Sequence, residues 1–179
     1  MRLDYRPGDR FLVARPGLTF LSPDQQVARR VWAAIGSTGQ VDDLLVEIVR
    51  DGLRSVGAFV LVDAAGERVR VLVRGDVPVQ VRNETGTVEW TGAGVSTWAE
   101  RVFDRVDAVV VGVADPAAER LPLRDGIVGC AGFVLDGTGR PQVNRPAAAA
   151  VAEPPAEPAP EPEPEQTPEP APTPKPETQ

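Results

Sequence analysis

The sequence predicts an α+β domain in which two N-terminal helices pack on a mainly antiparallel β-meander sheet, followed by a disordered tail. Three observations support this prediction. Between residues 22 and 50, apolar residues recur at spacings of three and four, which is the period of a helix. From residue 57 onward they fall in short alternating runs separated by Gly and Asp, a pattern typical of strands. Residues 146–179 contain 12 of the 19 prolines and no apolar residue larger than Val, a composition that cannot form a core.

The chain divides into a body and a tail by charge as well as by composition. One Lys and seven Glu give residues 146–179 a net charge of −6 out of the chain's −7, so residues 1–145 carry about −1. A body of that length can bury roughly two thirds of the surface of its unfolded chain, enough for one core. We therefore predict one globular domain at 1–145 and an acidic Pro/Glu-rich tail at 146–179. Because alternating Glu and Pro favour polyproline II, we expect a spacer or solubilising arm, the alternative being docking onto a basic partner surface.

The composition excludes several kinds of site. The chain has no His, so Ser96 and Thr97 cannot belong to a Ser-His-Asp arrangement. Cys130 is the sole cysteine and lies in the apolar run GIVGCAGFVLD, so it is predicted to be a small buried hydrophobe. The N-terminal run MRLDYRPGDRFLVARPG is charged where a signal peptide needs apolar residues, and no apolar run reaches the roughly 18 residues of a membrane span. We expect a cytoplasmic protein without a cofactor, and its acidity argues against nucleic-acid partners.

Two helices are predicted before the strands begin. Residues 22–25 (SPDQ) combine an N-cap Ser22, Pro at the first helical position and Gln at the capping-box site, so the first helix should run from there to Gly36. The second should run from Asp42 to Arg50, with an apolar face and Gly52 as its stop. Upstream, the runs RFLVA and LTFL flank Arg15-Pro16-Gly17, which predicts a short hairpin.

The run VRVLVRGDVPVQVRN at residues 69–83 predicts a second hairpin. A slip of one residue moves every side chain to the other face of the sheet. The positions of the valines on the two strands therefore indicate the length of the loop between them. A two-residue loop would mix the two faces. A three-residue loop, Arg74-Gly75-Asp76, pairs Val73 with Val77, Val71 with Val79 and Val69 with Val81, with Gly75 free to take a positive φ. In this arrangement Asp76 lies at the tip of the hairpin and serves the bend.

The same test applied to the next loop, Asn83-Glu84-Thr85-Gly86, predicts Val81 opposite Val88 and Val79 opposite Trp90. The reverse face of the predicted ribbon then carries Arg68 opposite Arg82, and a row of Arg70, Gln80 and Glu89. Like charges that face each other across strands are mildly unfavourable. An acidic partner or a bound anion could relieve them, and separation by solvent is the alternative.

The three tryptophans complete the predicted partner-binding set. Trp32 and Trp90 fall on predicted apolar faces, whereas Trp98 shares a strand face with Ser96 and Glu100 and should be the most exposed of the three. We therefore predict that a partner contacts four residues: Arg68, Arg70, Arg82 and Trp98. No catalytic residue is predicted.

The succession helix, strand, strand, Gly-Asp, strand across residues 42–91 resembles the middle of metal-dependent Ser/Thr phosphatases of the PPM type. In that family the Asp of a Gly-Asp-Ser-Arg turn helps to hold a catalytic metal, which would make Asp76 a metal ligand here. The chain departs from the family after Gly75-Asp76, where Val77-Pro78 follows, and it lacks the Asp-Gly-His-Gly-Gly motif. Because dinuclear catalysis needs several carboxylates around two metals, the resemblance implies a degenerate phosphatase core, and no metal is expected otherwise.

A second resemblance covers most of the body. The runs VDDLLVEIVRDGL, GERVRVLVRGDVPVQV and WTGAGVSTWAERVF resemble the N-terminal region of actinobacterial proteins that carry a forkhead-associated domain further along the chain. In those proteins the region precedes a linker and a phosphothreonine-binding module, which implies a place in Ser/Thr kinase and phosphatase signalling. The phosphopeptide-binding function transfers to no residue here, because this chain continues into the Pro/Glu tail instead.

We therefore expect a non-enzymatic interaction or adaptor domain with an as yet unidentified protein partner. Two alternatives remain open. One is a PPM-like phosphatase, and the other is a regulatory domain that binds a small ligand in the cleft between helices and sheet.

Overall fold

The structure, a computed structural model, describes residues 1–37, 40–112 and 119–137. The predicted tail at 146–179 and its boundary with the body lie outside the described residues. The elements are β1 (Arg2–Arg15), β2 (Leu18–Ser22), α1 (Gln25–Ser37), α2 (Val41–Ile48), β3 (Phe59–Asp63), β4 (Arg68–Asn83), β5 (Gly86–Gly92), β6 (Ala99–Asp104), β7 (Val106–Val111), β8 (Leu121–Leu123) and β9 (Gly126–Asp136).

The predicted fold class is confirmed: two helices accompany a sheet in which every described pairing is antiparallel. The strand order adds connections that a simple meander lacks, because β4 pairs with β7, and β9 pairs with both β7 and β1. The pairings β1–β2, β2–β3, β3–β4, β4–β7, β7–β9 and β9–β1 form a closed circuit of six strands. Such closure leaves fewer unpaired strand edges in the sheet.

The strand residues alternate between two cores. The inner core lies on the face that carries the odd-numbered valines of β4, together with Leu12, Val60, Val62, Val109, Val111 and Phe133. The outer core lies between the other face and the helices, and joins Phe20, Phe59, Leu61 and Leu72 to Val27, Val31, Leu44 and Ile48. β3 contributes alternate residues to both cores, so it is buried on both faces.

The predicted N-terminal hairpin is confirmed, because Arg15 pairs with Leu18 and Gly17 takes a φ of +84°. The helix start differs from the prediction by two residues. Asp24 Oδ1 accepts hydrogen bonds from the backbone N–H of Gln26 (2.7 Å) and Val27 (3.2 Å), so Asp24 and not Ser22 caps α1. The Ser22 hydroxyl instead accepts the Asp24 N–H at 3.1 Å.

α2 is shorter than predicted but has the predicted apolar face. It spans Val41–Ile48 and buries Val41, Leu44 and Ile48, and the chain then reaches Gly52, whose φ is +87°. The two acids in its first turn, Asp42 and Asp43, suit the positive end of the helix dipole.

The hairpin predicted at Arg74-Gly75-Asp76 is wrong, because residues 68–83 form the single strand β4. Val69, Val71 and Val73 share the inner face with Val77, Val79 and Val81 because all six positions are odd. A three-residue loop and a continuous strand give the same alternation, so the valines alone could not separate them. The strands that pair with β4 distinguish the two arrangements. β3 and β6 pair with residues 68–74, whereas β5 and β7 pair mainly with residues 79–83.

β4 bends sharply near Gly75, which takes a φ of +76°. Trp90 lies opposite Val79 and Phe103 lies opposite Val69, and those two valines would stand about 33 Å apart on an extended strand. The rings of Trp90 and Phe103 are nevertheless only 5.4 Å apart, centroid to centroid. The register with β5 also slips between Gly75 and Val79. The predicted Gly-Asp break is therefore a bend within a strand.

The register predicted for the following hairpin is confirmed. Val81 pairs with Val88, Val79 with Trp90, and Gln80 with Glu89. Alternation sufficed here because β4 and β5 are joined by a short turn, which leaves no competing partner between them.

Replacing Gly75 by Ala should destabilise the domain by about 1–3 kcal/mol, because a positive φ is strained for other residues. In addition, a Cβ at this position would lie 2.8 Å from the Cβ of Ala58. Urea unfolding followed by circular dichroism measures the change.

Gly66→Ala is the matched control, because a Cβ there meets nothing within 4 Å. Equal unfolding midpoints for the two variants would contradict the assigned bend.

Candidate functional site

The predicted partner-binding arginines do not form one cluster. Arg68 and Arg82 were expected to face each other, but they lie near opposite ends of β4 because that strand is continuous. Arg68 lies opposite Asp104, with 3.9 Å between Nε and Oδ1. Arg82 is exposed and lies opposite Thr87 and Ala108.

Arg70 joins α2 to β6 across β4. Its Nε donates to Glu100 Oε1 at 2.7 Å and its NH1 group donates to Asp42 Oδ1 at 3.3 Å. The hydrogen bond to Glu100 is the main reason why the pKa of Arg70 is raised above its usual value. Gln80 lies opposite Glu89 as predicted, but Arg70 does not extend that row, because it lies opposite Asp63 and Val102 on the continuous strand β4. Two carboxylates of this chain already bind the Arg70 guanidinium.

Trp98 is partly buried, in the same exposure class as Trp32 and Trp90. Its ring packs against the outer core, with 6.4 Å between its centroid and that of Phe59. Trp32 and Trp90 are also partly buried, as predicted, and each has a guanidinium over its ring: Arg15 at 4.2 Å and Arg101 at 5.1 Å, respectively.

Asp76 is exposed on β4 next to the bend, not at the tip of a hairpin. Within residues 1–37, 40–112 and 119–137, no group of three or more Cys, Asp or Glu side chains is arranged to hold a metal ion.

Arg74 binds the carbonyls of two loops, a role that the sequence did not predict. Its Nε donates to Val56 O at 3.0 Å and its NH2 group donates to Leu53 O at 3.1 Å, in the loop after α2. Its NH1 group donates to the carbonyls of Ser96 and Thr97, in the loop before β6. One guanidinium therefore holds both loops against β4.

The loop before β6 and β6 itself form an exposed surface, which we call the β6 surface (residues 93–102). Val95 is 42% exposed and Val102 is 49% exposed. Among the described pairings, β6 is bonded only to β4, so one edge of β6 has no described strand beside it. The turn before Val95 is closed by a hydrogen bond from its N–H to Gly92 O at 3.3 Å.

A cavity of about 630 Å³ lies elsewhere, where the start of β1, the β1–β2 turn and β8 meet. Neither helix contributes to its lining, so it differs from the cleft between helices and sheet considered as a ligand site. Its walls include three arginines, Arg2, Arg15 and Arg124, and apolar residues such as Leu3, Leu18 and Leu135.

Cys130 is fully buried in the inner core, as predicted. Its thiol donates to Gly132 O at 3.3 Å. Burial raises the pKa of the thiol to about 11, since a thiolate would lose its hydration there.

No helix in the described part of the chain is both long enough and apolar enough to cross a membrane. Compared with protein-family models, with curated proteins and with solved structures, the chain matches none.

Replacing Arg74 by Gln should loosen both loops, because the shorter neutral side chain cannot reach four carbonyls. We expect a loss of about 2 kcal/mol in the free energy of unfolding, since hydrogen bonds from a charged donor contribute roughly 1.5–3 kcal/mol. Hydrogen exchange should become faster in residues 53–56 and 95–98.

Arg54→Gln, at an exposed position without a described ion pair, is the control. Unchanged exchange rates in the two loops of Arg74→Gln would contradict the assigned role.

Cys130 should resist Ellman's reagent at pH 8 and react on unfolding, because its thiol is buried and protonated. A raised pKa in the folded state favours the neutral thiol, so this contribution to stability is fully present below about pH 9. It should decline as the pH rises towards about 11.

Urea unfolding between pH 8 and 11 tests this, with Cys130→Ala as the control that lacks the thiol. An equal loss of stability in both proteins over this range would contradict the assignment.

Proposed function

We propose that the protein is a non-enzymatic interaction domain that binds a protein partner through the β6 surface. The observation that carries this proposal is the fixed, uncharged loop that exposes Val95 and leads into β6, a strand with a single partner strand in the described part of the chain. Partner binding at an exposed strand edge is an established mode in which main-chain hydrogen bonds supply affinity and neighbouring side chains supply specificity.

The composition of the β6 surface favours a protein partner. Glu100 and Arg101 are the two charged residues of the β6 surface, and residues 90–99 contain none; the centres of protein interfaces are depleted in charge. Val95 and Val102 are two of the five large hydrophobic residues that are notably exposed in the described chain. Contact with an apolar partner surface would remove both from water.

The loop is also held in place before any partner arrives. Arg74 binds the carbonyls of Ser96 and Thr97, and the Trp98 ring anchors the end of the loop on Phe59. A surface that is already ordered loses less conformational entropy on binding. This favours recognition by the loop over a purely structural role.

The residues near β6 supply few free charges for a partner. Glu100 is bound to Arg70 and Asp104 lies near Arg68. Of the four residues predicted to bind a partner, two support this surface: Trp98 packs on Phe59 under the loop, and Arg70 binds Glu100 of β6. Arg68 lies near Asp104 at the end of β6, and Arg82 lies at the far end of β4. We propose that the partner belongs to Ser/Thr phosphorylation-linked signalling, which the resemblance to forkhead-associated proteins supports.

Photo-crosslinking tests the β6 surface. A benzoylphenylalanine at position 95 or 102 of the full chain should capture the same protein from native lysate. The same group at Val46, which is 63% exposed on α2, should not capture it.

With the captured protein purified, Val95→Glu and Val102→Glu should each weaken binding by roughly tenfold, the scale of a contact worth about 1.4 kcal/mol. Val46→Glu should leave the affinity within about twofold. Capture at all three positions alike, or unchanged affinity in both loop and strand variants, would refute the proposal.

A further inference from the structure

The arginine-lined cavity has the size of a small-molecule site. Its volume of about 630 Å³ lies within the roughly 300–1,000 Å³ usual for ligand pockets. It is built by Met1–Leu3 of β1, the turn into β2, and Pro122–Arg124 at β8. Strands and a tight turn form most of its wall, so its shape is fixed by the sheet.

One part of the wall is apolar. Leu3, Leu18 and Leu135 are each less than 8% exposed, and Ala64 completes this side. A hydrocarbon group placed there would be removed from water, which is favourable by about 25 cal/mol per Å² of apolar area.

The charged residues among the described lining are all cationic. Arg2, Arg15 and Arg124 line the cavity, and none of the described lining residues is Asp or Glu. Arg2 is bound to Asp4 at 3.1 Å, but both side chains remain partly exposed. Arg124 is exposed and forms no ion pair within the described part of the chain.

Arg15 contributes to the lining of the cavity, but its guanidinium packs against α1. It lies over the Trp32 ring and beside Gly36, and no residue of α1 lines the cavity. We therefore assign the head group to Arg2 and Arg124 and not to Arg15.

We propose that the cavity binds a small molecule with a hydrocarbon body and one oxyanion head group, either a carboxylate or a phosphate monoester. The guanidinium groups of Arg2 and Arg124 bind the head group, since their N–H donors match the geometry of both oxyanions. The leucines and Ala64 contact the hydrocarbon body. This site shares no residue with the β6 surface, so ligand binding in the cavity can be tested independently of the proposed partner binding.

Calorimetric titration of the full chain tests the ligand class with four probes of equal chain length: octanoate, octyl phosphate, 1-octanol and octylamine. At least one of the two anions should bind, at least tenfold more tightly than octanol, and octylamine should not bind. The tighter of the two anions identifies the head group. Absence of binding by both anions at millimolar concentration, or equal binding of octanol, would overturn the proposal.

Variants locate the site. Arg124→Ala should weaken binding of the preferred anion about tenfold, the effect of losing a contact worth about 1.4 kcal/mol. Arg54→Ala, which removes an exposed arginine outside the cavity lining, should leave it unchanged. Ala64→Leu should weaken binding at least fivefold by filling the apolar side without changing the charge.

Arg124 is exposed, so Arg124→Ala should fold normally, and it keeps the proposal testable if Ala64→Leu does not fold. Wild-type affinity in Arg124→Ala, or an equal loss in Arg54→Ala, would overturn the assignment of the head-group site.

Discussion

The bend of β4 at Gly75 is the constraint on which the rest of the sheet depends. Four strands pair with β4: β3, β5, β6 and β7. The bend lets one strand carry two sets of neighbours, and it brings Trp90 and Phe103 together although their partner valines are ten residues apart. A residue with a Cβ would be strained at this φ and would press on Ala58. The inner core therefore requires both the alternating valines of β4 and the glycine at which that strand bends.

The arginines of β4 show how a polar strand face becomes part of the structure. Arg70 and Arg74 lie on the face that also carries Leu72 of the outer core. Arg70 binds a helix acid and a strand acid, whereas Arg74 binds backbone carbonyls of two loops. Guanidinium groups suit this role because they present five donors in one plane. Of the cations that the sequence suggested as a partner site, Arg70 orders β6, whereas Arg74, which was not among them, orders the loop that we propose as part of the docking surface.

The two candidate sites lie beside strands that have a partner strand on one side among the described pairings. The six-strand circuit pairs most strands on both sides, while β5, β6 and β8 each have a single described partner strand. The β6 surface is exposed apolar chain held rigidly at such an edge. The arginine-lined cavity lies where β8 meets β1 and the turn at Pro16. The β6 surface suits a protein partner and the cavity suits a small anion with an apolar body, because the two sites differ in charge and shape.

The sequence by itself determined the fold class, the hairpin at residues 15–17, the helix faces, the burial of Cys130 and the β4–β5 register. Each rests on local periodicity or on a short turn, which admits few alternatives. Only the tertiary structure decided that Gly75-Asp76 bends a strand, that Trp98 packs on Phe59, and that Arg74 binds two loops. The cavity walls also come from distant segments. Alternation specifies which face a side chain occupies, whereas the identity of its neighbours depends on pairing between strands far apart in the chain, which no local pattern encodes.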